Sequence, residues 1–289
     1  MIKLLALDLD GTLLNSSGKV SEENKAALRA VEDRGVLVTI ATGRRFRDAR
    51  PVGLELGLNA PLVTHNGALL KFADSEETVD FSLIGRMTSL EILRVGKGFG
   101  GDALVSTDPT GGGMLLYDRV SDSNVPLQKY VYWSQKLHGP DAETSVRRVA
   151  SLEEHISAEQ VIHISFSGSC APMSEMQQVL EDELRDSVNV LATVYPHLDF
   201  TLIDILPPGA SKGVGVEKLA RLNGFTIENV MAIGDNFNDL GMLDVAGTPV
   251  IMGNADPKLL ERPEFYTTLS NDESGVAKAV DRFILSEKR

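Results

Sequence analysis

A chain of 289 residues with 43% hydrophobic content is long enough for two domains or one large α/β domain. Its formal charge of -13 disfavours nucleic acid and anionic membrane surfaces, which both call for a basic face on their partner, and no apolar run reaches the roughly 18 residues that span a bilayer. The single cysteine, Cys170, excludes an internal disulfide, fits a reducing cytoplasm, and is expected as a small buried residue beside Phe166.

Residues 2–8 predict a buried strand running into Asp8-Leu9-Asp10-Gly11-Thr12; it is too short, and too soon interrupted by Asp8, to be a signal peptide. Residues two apart on a strand share a face, so Asp8 and Asp10 are expected to project together from its carboxyl end, with Gly11 turning the chain away. Two like charges so close repel and cost desolvation, which points to a cation or a reaction that uses them. Ser21 caps a helix to about Arg34, with Glu22 and Glu23 in the first turn, and Gly35 stops it. Val36–Ala41 predicts a second buried strand ending at Thr42-Gly43-Arg44. A helical stretch then leads to a short strand over 61–64 that ends at Asn66-Gly67. From about residue 85 the texture changes to short segments punctuated by glycine. Strands are expected at Asp102–Ser106, Met114–Asp118, Val161–Phe166 and Val188–Val194, with a helix at Met173–Leu184 whose Met173 and Met176 face a core. After Pro207-Pro208-Gly209 the first texture returns as helix Lys212–Asn223, strand Val230–Ile233, helix Leu240–Ala246 and strand Thr248–Met252. The whole predicts an α/β fold: a doubly wound, Rossmann-like parallel-sheet core built from residues 1–84 and 206–289, interrupted by an inserted α+β cap at 85–205.

Ligands of open α/β sheets sit at the carboxyl ends of the strands. Four such places carry polar residues: Asp8, Asp10 and Thr12; Thr42 and Gly43; Lys212 behind Ser211; and the turn Gly234-Asp235-Asn236-Phe237-Asn238-Asp239. Taken singly, Thr42-Gly43 reads equally as an ordinary turn, Lys212 as a solvated lysine and the acidic turn as a helix cap. Jointly they match phosphoryl transfer through an aspartyl-phosphate. Asp8 would be nucleophile and metal ligand, and Asp10 the general acid/base; Lys212, Thr42 and backbone N–H groups would hold the charge on the phosphoryl oxygens, with Mg²⁺ as the hard cation. His65, near these strand ends, is expected at the surface, and His163 as a satisfied sheet residue.

These four stretches resemble the motifs of the haloacid dehalogenase superfamily. Asn66-Gly67-Ala68, Pro208–Gly213, Met252-Gly253-Asn254-Ala255 and Asn271–Val276 resemble more narrowly the Cof-type phosphatases with a type-two cap. The resemblance implies that Asp8 is the nucleophile and Asp10 the acid/base, and that Asp8, the backbone carbonyl of Asp10 and Asp235 ligate Mg²⁺. It also implies that Thr42, Gly43, Lys212 and Asn238 serve the phosphoryl group, with Thr12, Arg44 and Asp239 in support. The expected substrate is a small phosphorylated metabolite such as a sugar phosphate, hydrolysed in the cytoplasm. A phosphomutase remains the alternative, and a non-catalytic phosphate-binding protein a further one. Arg262–Thr267 departs from the family pattern and puts a strand there in doubt.

Overall fold

The computed structural model describes residues 1–139 and 142–286. Its strands are β1 (Leu4–Leu7), β2 (Leu37–Ile40), β3 (Leu62–Thr64), β4 (Leu69–Lys71), β5 (Thr78–Phe81), β6 (Asp102–Thr107), β7 (Met114–Tyr117), β8 (Val146–Arg148), β9 (Val161–Gly168), β10 (Asn189–Tyr195), β11 (Phe200–Leu206), β12 (Val230–Gly234), β13 (Thr248–Ile251) and β14 (Tyr266–Thr267). The α-helices are α1 (Glu22–Glu32), α2 (Phe46–Leu56), α3 (Arg86–Gly98), α4 (Val125–His138), α5 (Ala142–Ser145), α6 (Leu152–His155), α7 (Cys170–Leu184), α8 (Lys212–Leu222), α9 (Leu240–Leu243), α10 (Pro257–Leu260) and α11 (Gly275–Val280). Contacts group the chain into two compact units. One comprises Met1–Arg44, Ala49–Val79 and the chain from Ser211 on; the other comprises Arg45–Asp48 and Asp80–Ala210.

The first unit is built on a five-stranded sheet in the order β14-β13-β12-β1-β2, in which every pairing is parallel. Parallel strands covered on both faces are apolar throughout, and β1 is accordingly buried at every residue. Leu7 is level with Ile233 on one side and Ile40 on the other, so the segments that follow these three strands emerge at one edge. Leu4, Ala6, Val63, Val216, Leu219, Met242 and Ile251 form part of the core on one side of this sheet. The expected caps are made: the Ser21 side chain accepts from Asn24 N and that of Ser211 from Val214 N. Where a strand was in doubt, Tyr266 and Thr267 pair with Val250 and Ile251, giving a two-residue edge strand. Helix α9 stops at Leu243, short of the expected Ala246, and a 3₁₀ turn over Phe237–Asp239 precedes it.

The second unit holds a six-stranded sheet in the order β10-β11-β9-β6-β7-β8, antiparallel except between β7 and β8. Phe166, Ile203 and Ile205 pack with Ile92 and Leu93 of α3 and with Met173, Met176 and Leu180 of α7. Leu104 and Leu115 meet Leu127 and Val131 of α4. His163 is a satisfied sheet residue, 2.9 Å from Asp204 through Nε2. Cys170 differs from expectation. It opens α7 and is partly exposed, because the first turn of that helix lies past the end of β9, where Phe166 is buried. In the same unit the buried Asp48 carboxylate accepts from Arg45 Nε at 2.8 Å and Tyr130 Oη at 2.9 Å, and bonds His138 Nε2 at 3.1 Å. No helix among the described residues is long and apolar enough to cross a membrane.

Candidate active site

Every residue of the site belongs to the first unit. Asp8 directly follows β1, and its N–H still donates to Ile233 O at 2.9 Å, so its position is set by the register of β1 against β12. Lys212 is the first residue of α8, which Ser211 starts with its cap. Its buried ammonium donates to Asp8 Oδ1 and to Asp239 Oδ1, each at 2.6 Å. The other oxygen of Asp239 accepts from Asp235 N at 2.9 Å and Asn236 N at 3.0 Å, so one buried carboxylate both holds the lysine and closes the turn after β12. Asp235 in turn accepts from Thr12 Oγ1 at 2.7 Å.

One carboxylate oxygen from each of Asp8, Asp235 and Asp239 lies within 4.8 Å of the others. Of these three, Asp8 and Asp239 bond the Lys212 ammonium while Asp235 takes the Thr12 hydroxyl, and their ionisation shows the excess of negative charge. Burial, then the charge of Asp239, pushes Asp8 well above the usual carboxylate range in spite of Lys212. Burial, with Asp239 again adding to it, pushes Asp235 up to about 6 against the hydrogen bond from Thr12. Burial alone would lower Lys212, but Asp239 and Asp8 hold it above the ordinary lysine value. Hard oxygen donors with uncompensated negative charge fit a hard divalent cation. Asp8 and Asp235 are the residues that could hold it, Asp239 being engaged by the lysine and the turn.

Asp10 falls three residues past Leu7, where β1 ends, so the strand no longer sets the two-residue alternation that would align it with Asp8. The Asp10 carboxylate is exposed and accepts from Arg44 Nε at 2.7 Å. Thr42 is buried, and its Oγ1 accepts from Arg44 N at 3.1 Å. Gly43 faces Asn66, whose Oδ1 would stand 3.1 Å from a Cβ at that position. His65 is buried, which corrects its reading as a surface histidine. The chain turns at positive φ through His65 and Asn66, and His65 N donates inward to Arg44 O at 3.0 Å. Asn238 is exposed, and the carboxylates on Lys212 are those of Asp8 and Asp239.

Two supporting residues stand in the sequence only as members of motifs. Asn254 Nδ2 donates to Gly11 O at 2.8 Å while its Oδ1 accepts from Asn271 N at 2.9 Å, and Asn271 Nδ2 donates to Leu14 O at 2.9 Å. This chain of amides fastens the loop after Asp8 to the end of β13. The motif Gly253-Asn254-Ala255 was the available signal, but a partner some 240 residues away cannot be read from it.

Fold and site together define a doubly wound α/β protein with an acid–lysine centre at the strand ends, where such sheets take their ligands. The chain belongs to the haloacid dehalogenase-like hydrolases, whose family model matches residues 5–280. It is 31% identical over 284 residues to a 5-amino-6-(5-phospho-D-ribitylamino)uracil phosphatase of Bacillus subtilis, covering 98% of this chain and 96% of the relative. It is 30% identical over 271 residues to a pyridoxal phosphate phosphatase of Escherichia coli, covering 90% and 91%. A crystal structure of a haloacid dehalogenase-like hydrolase from Bacteroides thetaiotaomicron superposes with a TM-score of 0.80 at 26% identity, covering 98% of this chain and all of that one.

Proposed function

We propose that this protein is a Mg²⁺-dependent phosphatase of a small phosphorylated metabolite, acting through an aspartyl-phosphate on Asp8. The observation that carries this reading is the buried Lys212 ammonium, held 2.6 Å from both Asp8 and Asp239. It fixes the Asp8 carboxylate while offering positive charge where phosphoryl oxygens would gather. The relatives support the substrate class, since the two above are named for a phosphorylated pyrimidine derivative and for pyridoxal phosphate.

In this mechanism an oxygen of Asp8 attacks phosphorus and the bond to the leaving oxygen breaks, that oxygen taking a proton from Asp10. Asp10, exposed and held by Arg44, would need to turn from its guanidinium toward the substrate. Water then attacks phosphorus and gives its proton to Asp10; phosphate leaves and Asp8 is restored. Thr42, the N–H of Gly43, Lys212 and Asn238 would bind the phosphoryl oxygens, with Thr12 and Asp239 keeping Asp235 and Lys212 in place. Mg²⁺, held by Asp8, Asp235 and the carbonyl of Asp10, would supply charge neutralisation between carboxylate and phosphate. The inserted segment 85–205 would select the leaving group.

The test is a single-turnover experiment with a ³²P-labelled sugar phosphate that the enzyme hydrolyses, quenched in acid. Label on the protein that maps to Asp8 and is absent from Asp8→Asn supports the reading. Full turnover by Asp8→Asn overturns it.

A further inference from the structure

Strand β10 ends the six-stranded sheet and, among the described residues, pairs only with β11. Sheet edges are ordinarily blunted by shortness, charge, proline or bulges, because open backbone groups recruit further strands. The opposite edge of this sheet follows the rule: β8 has three residues, two of them the exposed Arg147 and Arg148. In the other unit the edge strand β14 has only two residues. Strand β10 does not follow it. Its seven residues, Asn-Val-Leu-Ala-Thr-Val-Tyr, carry no charge and no proline in a chain of net charge -13, and pair without a bulge along all of β11. Ala192 and Tyr195 are exposed, and Val194 is 53% exposed.

We propose that β10 is a self-association edge, pairing antiparallel with β10 of a second copy about a two-fold axis at Ala192 to give a weak dimer. An antiparallel pair centred there sets Val190 against Val194 and Leu191 against Thr193, apolar or neutral at every rung. The flanks agree. Arg185 and Asp186 precede the strand, and His197 and Asp199 follow it. The two-fold lays the first turn of one copy alongside the second turn of the other, where Arg185 can oppose Asp199. Arg185, whose Nε bonds only a backbone carbonyl, and Asp199, whose Oδ1 accepts from Cys170 N, thus give a second copy one opposite-charge pair at each end. A single pair of strands lies at the small end of stable interfaces, so the dimer is concentration-dependent.

The experiment is sedimentation equilibrium of the full chain from micromolar to millimolar concentration, joined to oxidative cross-linking of Ala192→Cys and Val194→Cys, each in a Cys170→Ser background. At the two-fold the Ala192 Cα atoms would lie about 4.5–5.5 Å apart, within disulfide reach. Those of Val194 would be offset along the strand by about 14 Å, beyond it. The expected result is a reversible dimer, at least tenfold faster cross-linking at 192 than at 194, and a monomer at all concentrations for the double variant Ala192→Lys, Val194→Lys. A chain monomeric throughout, a dimer untouched by the two lysines in a demonstrably folded variant, or equal cross-linking at the two positions would overturn the proposal.

Discussion

A Cβ on Gly11 would lie 2.4 Å from Oδ2 of Asp235, and Gly11 holds φ +84°. The glycine thus serves two ends: it turns the chain after Asp10, and it leaves room for a carboxylate that arrives from β12. Gly11→Ala should displace Asp235 and strain the turn, at a cost of about 1–2 kcal/mol in backbone conformation alone. Calorimetric titration with Mg²⁺ should show at least tenfold weaker binding, and a melting curve a lower Tm.

Asp8→Asn should abolish turnover, by about a thousandfold or more if Asp8 is the nucleophile. Stability should move the other way. Because its surroundings push the Asp8 pKa up, the charged form is disfavoured in the fold, and a neutral amide of the same shape removes that cost. Lys212 keeps Asp239 as a partner. Thermal denaturation without added metal should give a Tm at or above that of the parent.

Lys212→Ala should be the most damaging single change at the site. It leaves Asp8 and Asp239 buried without their shared cation, a loss on the order of 3–5 kcal/mol. Urea denaturation at neutral pH checks the figure; a loss below about 1 kcal/mol would mean that water or another group already compensates the carboxylates.

Chelation by EDTA should stop hydrolysis and Mg²⁺ should restore it, with Ca²⁺ a poor substitute because it favours larger, more numerous oxygen shells. Activity measured in chelator and after each back-addition decides this.

Asp48 governs a separate acid response. Burial alone would raise its pKa, but His138, Arg45 and Tyr130 more than offset this and hold the carboxyl well below the usual range. A carboxyl depressed in the fold contributes stability that is complete above its unfolded value of about 3.9 and is lost as pH falls toward the folded value. Asp48→Asn should therefore lower stability at pH 7 and flatten its dependence on pH below about 4, as followed by urea denaturation across that range.

Local chemistry carried much of this fold in the sequence. Apolar runs such as Leu4–Leu7 and Val230–Ile233 have to be buried on both faces, and Ser21 and Ser211 mark helix starts by a bond to a residue three positions on. The alternation of such elements is enough to imply a parallel sheet, and a parallel sheet is enough to place Asp8, Lys212 and the turn 234–239 near one edge. What a side chain touches there is another matter. The register of β1 against β12 decided that Asp8 and Asp235 meet, and the close of the turn decided that Asp239 takes the lysine. Asp10 pairs with Arg44, and a left-handed turn carries the buried His65. Periodicity reports a face only while the backbone stays regular. Functional residues follow the ends of strands, where regularity stops, so their directions and partners belong to the tertiary structure.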